Sequence, residues 1–277
     1  MLGRLSLENQ VAIITGAGGG LGSATARLMA ARGAKVVLAD YILVAARSVE
    51  AELAATGATA LAIQFDLGDE ASIKRMVAET IDRFGRIDIL HNNAADLSPE
   101  VGQNDHDILH MDTALWDRVF RVNVRGTMIA SREVLPHMLA QGRGAIVTMT
   151  SSLALQGHIV QNAYSTSKAA LIQLVRNIAA AHGPDGIRAN SVAPGLTLTP
   201  AVRRVFPEAV RTLVEKETLR DQMGEPDDLA ELVAFLASDA ARNINGELIV
   251  CDGGLTSHVP DIAGYRALGK KAAPDQV

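Results

Sequence analysis

The stretch "VAIITGAGGGLG", residues 11–22, carries two signals back to back. Residues 11–15 are apolar or β-branched and too few for a buried helix, which reads as a strand. A glycine-rich turn follows at once, and residues 21–32 then repeat apolar side chains at helical spacing. In an open parallel sheet, the turn after the first strand feeds a helix whose unpaired N–H groups and dipole attract phosphate. Gly16, Gly20 and Gly22 give the spacing G-x-x-x-G-x-G. The G-x-G-x-x-G register fails, because its last position falls on Leu21 or Ser23, and no G-K-[ST] follows that would mark a nucleoside-triphosphate loop.

The same rhythm continues outward. Short apolar runs lie at 35–39, 60–65, 86–91, 145–149, 188–193 and 247–251, several rich in Val and Ile and many flanked by glycine. Between them, residues 69–84, 114–140, 163–182 and 226–237 carry helical periodicity. Nearly continuous apolar strands alternating with helices predict an α/β, doubly wound, Rossmann-like parallel sheet of about seven strands, with helices on both faces. No linker or repeat divides the chain, so residues 1–258 are expected to form one domain. Within it, residues 196–225 are longer than an ordinary connection and are expected to form a substrate lid. The polar tail, 259–277, is expected to be loosely ordered or to pack on a partner chain.

Composition narrows the function. The 277 residues are 48% hydrophobic and 21% charged, with a net charge of −5. That balance argues against a nucleic-acid partner or an anionic membrane surface. The single cysteine, Cys251, excludes an internal disulfide and every C-x-x-C motif. The N-terminus has neither a signal-peptide core nor a transmembrane run, so a cytoplasmic location is expected. Residues 96–112 contain His106 and His110 among aspartates, and read as a solvated loop rather than a metal site.

Asp40 closes the second strand. An acid there hydrogen-bonds the adenosine ribose hydroxyls and repels a 2′-phosphate, and its neighbour Tyr41 is not cationic, so NAD is expected over NADP. The competing reading makes Asp40 a helix N-cap for residues 41–55.

Further along, "FDL" (65–67), "NNAA" (92–95), "VNV" (122–124), "SS" (151–152), "YSTSK" (164–168), "APG" (193–195) and "DGG" (252–254) follow "TGAGGGLG" (15–22) in order. With these motifs the chain resembles a short-chain dehydrogenase/reductase of the shorter-subunit branch, across roughly residues 7–256. The resemblance implies an oxidoreductase in which Asn123, Ser151, Tyr164 and Lys168 form the catalytic set. The family's serine stands thirteen positions before its tyrosine, which selects Ser151, with Ser152 as the alternative if the loop is one residue shorter. Only Tyr164 of the three tyrosines has a lysine four residues on.

By the same resemblance, the dinucleotide would contact Gly16, Gly20, Leu21, Gly22, Asp40, Asp66, Leu67 and Asn93. Tyr164, Lys168, Pro194, Gly195, Thr197 and Thr199 would complete its site, with Asp66 meeting adenine and Asn92 tying the fourth strand to its neighbour. Asn123 would hold a water that links Lys168 to solvent. Positions i and i+4 share a helix face, so Lys168 can lie beside Tyr164. A free phenol has a pKa near ~10, and an adjacent ammonium and the nicotinamide charge are expected to lower it so that Tyr164 serves as general base.

Leu97, Leu153, Leu155, His158, Leu196, Val202, Val205 and Phe206 are expected by position to line an apolar pocket. A hydrophobic secondary alcohol or its ketone is the expected substrate. Residues 163–182 are apolar around much of the helix, as expected of a homodimer or homotetramer. Two further readings compete: a 3-oxoacyl-type reductase, which Asp40 disfavours, and a dinucleotide sensor without turnover, which the intact catalytic set disfavours.

Overall fold

In a computed structural model of the protein, which describes residues 3–220 and 222–272, every expected strand is present. They are β1 (Val11–Thr15), β2 (Lys35–Asp40), β3 (Ala60–Gln64), β4 (Ile89–Asn92), β5 (Gly144–Met149), β6 (Ile187–Pro194) and β7 (Leu248–Cys251). All pair in parallel, in the order β3-β2-β1-β4-β5-β6-β7. β4 begins three residues later than its sequence pattern, because Asp88 is a side-chain anchor instead: its Oδ2 accepts the Val11 N–H at 2.9 Å and pairs with Arg86.

Eleven α-helices are described: α1 (Gly20–Ala31), α2 (Leu43–Ala55), α3 (Glu70–Phe84), α4 (Pro99–Asn104), α5 (Thr113–Val119), α6 (Thr127–Gln141), α7 (Asn162–His182), α8 (Pro200–Val205), α9 (Glu208–Glu217), α10 (Pro226–Ala237) and α11 (Ile262–Ala272). One face of the sheet buries Met29 of α1, Val49 of α2 and Val233 of α10 against Ile14, Val36 and Val147. The other buries Met76 of α3, Val134 of α6 and Val175 of α7 against Ile13, Leu90 and Ile146. Alternate residues of each central strand serve opposite layers, so the strand sequences are apolar throughout. Among the described residues no helix is long and apolar enough to cross a membrane.

The strand order reverses between β1 and β4, which opens a crevice at their carboxyl ends. Three segments depart at least in part from expectation. Residues 114–140 do not form one helix: a π-helical stretch, Phe120–Gly126, separates α5 from α6. A Cβ on Gly126 would lie 2.2 Å from the Leu67 carbonyl oxygen, so the π stretch presses directly on the connection after β3. Residues 96–112 are mostly exposed, as expected of a solvated segment, but are not all loop. They contain α4, whose first turn is capped by Ser98, and the buried Asp105. The tail carries α11, which lies along α9. Arg266 donates to the Lys216 and Thr218 carbonyls at 3.2 and 2.9 Å, satisfying acceptors that α9's last turn leaves free.

Candidate active site

The crevice begins at the glycine turn. Gly16 has φ 68°, a left-handed conformation, and a Cβ on it would lie 3.0 Å from Asn93 Nδ2 and 3.1 Å from Ala94 Cα. A Cβ on Gly22 would lie 2.1 Å from the Gly16 carbonyl oxygen, so α1 can start this close to β1 only as glycine. Nothing comes within 4 Å of the corresponding point on Gly19, and Gly20 faces the Thr199 methyl. Gly19, the N-cap of α1, offers no side-chain acceptor, so the first-turn N–H groups at Gly20, Leu21 and Gly22 have no side-chain cap. An open space over uncapped N–H groups, on a turn that added Cβ atoms would jam, fits a dinucleotide pyrophosphate.

Asp40 borders the same turn. Its Oδ2 accepts the Gly18 N–H at 2.7 Å and its Oδ1 accepts the Ile42 N–H at 2.8 Å. Ile42, not Asp40, is the N-cap residue of α2, so the competing capping role is not what Asp40 does. Asn93 turns its amide inward: Nδ2 donates to the carbonyls of Thr15 (2.9 Å) and Gly16 (3.2 Å), fastening the turn to the end of β4. Asn92 donates to Ser131 and Thr148. Past β3, Asp66 Oδ1 accepts the Gly68 N–H at 2.7 Å, and Leu67 is buried beside it.

At the far side, Pro194 ends β6 and Gly195 passes so close to Asp252 that a Cβ would lie 2.9 Å from that residue's own Cβ. Thr197 is buried, with its hydroxyl on the Gly195 carbonyl, and Thr199 caps α8 by accepting the Val202 N–H.

Between these two walls lie Ser151, Tyr164, Lys168 and Asn123. Ser151 follows β5, and its Oγ accepts the Leu153 N–H at 3.2 Å. It is the Ser151 side chain, rather than that of Ser152, that opposes the rise of the Tyr164 phenol. Lys168, one turn along α7, donates from Nζ to the Met149 carbonyl at 2.9 Å and sits 5.7 Å from the Tyr164 ring centre. Asn123 is fully buried on the π stretch, accepting the Asp96 N–H at 2.8 Å and donating to Ser167 Oγ at 3.1 Å. π turns recur at functional positions, and here the wider turn directs a polar side chain into the core.

In the protein by itself, burial sets the electrostatics of the pair. Burial pushes the Tyr164 phenol up, opposed by the Ser151 side chain, and burial pulls Lys168 down to about 8. Loss of hydration outweighs the attraction of an ammonium that lies beside the ring and is hydrogen-bonded elsewhere. Lowering of the phenol therefore requires further positive charge in the crevice. His91, fully buried on β4 and hydrogen-bonded at Nδ1 to Val147, is pulled by burial to about 4 and stays neutral. No three His, Cys, Asp or Glu side chains among the described residues are grouped to hold a metal.

Sequence reasoning overlooked Asp96, Asp105 and Ser167. Each reaches a catalytic residue through space, across sequence gaps with no local pattern.

A family model described as enoyl-(acyl carrier protein) reductase matches residues 16–256. A 7alpha-hydroxysteroid dehydrogenase of Bacteroides fragilis is 40% identical over 92% of this chain and 97% of its own. The chain belongs to the short-chain dehydrogenase/reductase family.

Solved structures of the family superpose closely. A 7alpha-hydroxysteroid dehydrogenase complexed with NADH and 7-oxo glycochenodeoxycholic acid matches at TM-score 0.85 and 35% identity, over 91% of this chain and 96% of that one. A gluconate 5-dehydrogenase from Burkholderia cenocepacia, in complex with NADP and tartrate, matches at 0.86 and 31%, over 93% and 99%. As a short-chain dehydrogenase/reductase, the protein is an NAD(P)-dependent oxidoreductase of C–OH and C=O groups.

Proposed function

We propose that the protein is an NAD-dependent dehydrogenase of a hydrophobic, alicyclic secondary alcohol, with Tyr164 as general acid/base. The observation that carries the reading is the Ser151–Tyr164–Lys168 cluster, set across the crevice from a turn whose ribose side ends in Asp40. A bound nicotinamide supplies the hydride acceptor and, when oxidised, a positive charge. Ser151 holds the reacting oxygen, Tyr164 Oη as the phenolate takes the hydroxyl proton, and buried Lys168 offsets the phenolate's negative charge before that proton arrives. In the reverse direction Tyr164 returns that proton to the carbonyl oxygen. Asn123, tied to Ser167 beneath α7, keeps polar atoms next to Lys168 for proton return to solvent.

Three features support the finer assignments. The Asp40 carboxylate, with Tyr41 and Ile42 beside it, would repel a 2′-phosphate. Exposed Leu97, Leu155, Val205 and Phe206 offer an apolar rim to the substrate. The relative at 40% identity is named a 7alpha-hydroxysteroid dehydrogenase, and a hydroxysteroid is an alicyclic alcohol. The segment 196–225, which contributes α8 (Pro200–Val205) and α9 (Glu208–Glu217), serves in this reading as the lid, with Arg203 of α8 paired to Glu225 at the start of α10.

The test is dinucleotide reduction on a panel of alicyclic secondary alcohols, with NAD and NADP compared. NAD is expected to be preferred, and Asp40→Asn is expected to narrow that preference by about tenfold, the worth of one charge-assisted contact. Equal or better kcat/KM with NADP in the unaltered protein would remove the NAD assignment.

A pH dependence follows from the paired groups. Lys168 gives up its proton near 8, but Tyr164, held above its ordinary value by burial, is the group that must ionise before it can accept a proton from an alcohol. The rate constant kcat/KM for oxidation is therefore expected to rise with pH and that for ketone reduction to fall. Lys168→Met is expected to move the limb upward, because the phenolate loses its ammonium partner. A flat oxidation profile into alkaline pH would contradict the assignment.

A further inference from the structure

We propose that Asp105 is a positioning residue for Tyr164, holding the catalytic helix by its first turn from outside that helix. The proposal rests on the reading of Tyr164 as the acid/base group.

α7 starts without a cap of its own. Its N-cap residue, Gln161, has φ 62°, a left-handed conformation uncommon for a residue with a Cβ, and its side chain accepts none of the first-turn N–H groups. Asp105 supplies the missing acceptors. Its Oδ1 accepts the Ala163 N–H at 2.9 Å, its Oδ2 the Tyr164 N–H at 2.8 Å, and its carbonyl the Gln161 N–H at 2.7 Å. The Asn162 side chain donates to the next carbonyl, that of His106, at 2.8 Å. Four consecutive residues, ending at Tyr164, are thus hydrogen-bonded to two.

Asp105 is 4% exposed, and among the described residues no Lys, Arg or His pairs with it. Its counter-charge is the positive end of α7, reached through the N–H groups of Ala163 and Tyr164. A buried carboxylate with both oxygens accepting from one helix turn fixes the height and rotation of that turn.

The segment carrying Asp105 is pinned at its other end as well. Asp96 donates its N–H to Asn123, and its carboxylate pairs with Arg118, which also reaches Ser98 and Glu100. Asp105 in turn donates its own N–H to Val101 and ends α4. The span from Asp96 through α4 to Asp105 therefore bridges Asn123 and Tyr164 independently of the sheet. Without the carboxylate, only the Gln161 N–H on the Asp105 carbonyl and the Asn162 side chain on that of His106 would hold the start of α7, both ahead of Tyr164, and the phenol would lose its setting against Ser151.

The test replaces Asp105 with Ala, and with Asn, which keeps the volume and one accepted N–H. Asp105→Ala is expected to lower kcat about tenfold to a hundredfold, the cost of a misplaced reacting group. Dinucleotide affinity, titrated separately to count folded sites, is expected to stay unchanged. Asp105→Asn is expected to recover part of the loss. An alcohol deuterated at its carbinol carbon gives the discriminating reading: hydride transfer becomes more rate-limiting, so the isotope effect on kcat rises in the Ala variant.

Unchanged kcat per folded site in either variant, or a loss with no change in isotope effect, would overturn the proposal. If the Ala variant does not fold, the Asn variant carries the same two readings. A Tyr164→Phe enzyme of full activity would instead sink the underlying acid/base reading. An inactive Tyr164→Phe beside a normal Asp105 variant would sink this proposal alone.

Discussion

Tyr164→Phe is expected to lower kcat by about a thousandfold, within the range that a positioned proton donor and acceptor contributes. The substitution deletes a single oxygen. The ring keeps its place, the residue's N–H stays on Asp105, and Lys168 keeps its bond to the Met149 carbonyl. Dinucleotide affinity is therefore expected to be unchanged, which separates loss of chemistry from loss of the site. Burial already disfavours the phenolate in the protein by itself, and the neighbouring Ser151 hydroxyl opposes that only in part. With the oxygen gone, Ser151 has no basic partner of its own, and the substrate proton has nowhere nearby to go. Turnover within a few-fold of the unaltered enzyme, measured with substrate and dinucleotide both saturating, would refute the assignment.

Gly22→Ala is expected to abolish dinucleotide binding at ordinary concentrations, weakening it by about a hundredfold or more through displaced charge-assisted hydrogen bonds. The added methyl would sit 2.1 Å from the Gly16 carbonyl oxygen and 2.9 Å from Asn93 Nδ2. The first is backbone and the second is held by its hydrogen bonds to the Thr15 and Gly16 carbonyls, so α1 must shift, and its first-turn N–H groups shift with it. Gly102→Ala is the control: a Cβ there meets nothing within 4 Å. That variant is expected to bind normally, so a defect at Gly22 reads as a steric one. Fluorescence or calorimetric titration decides, and normal affinity in Gly22→Ala would mean that α1 does not carry the phosphate.

The strands were legible because each central one feeds two apolar layers, leaving runs such as "VAIIT" (11–15) with no polar interruption. Tyr164 and Lys168 were legible because helical spacing brings them together within one element. Asp105 was not. It bonds residues 58 and 59 positions away, and a lone acid among the aspartates of residues 96–112 looks like a solvated charge. The π stretch was illegible for a related reason: apolar residues of 114–140 keep a helical period through it, and only the Gly126 approach to Leu67 shows where the winding changes. The effect of burial on Lys168 and Tyr164 was not legible, because sequence shows the neighbouring charge but not the depth of burial.

The reversal of strand order has a consequence for how the molecule assembles. β1 pairs with β2 and β2 with β3 across short sequence distances, but Ile14 meets His91 only after 76 intervening residues. Closing that distance is among the slow, entropically costly steps of folding such a sheet. The glycine turn depends on it, because Asn93, just beyond β4, fastens the Thr15 and Gly16 carbonyls. The turn emerges early during synthesis yet acquires its final shape only when β4 docks against β1. Gain of dinucleotide affinity during refolding is thus a clock for the union of the two half-sheets, and a fragment ending before β4 has the glycines without the cradle.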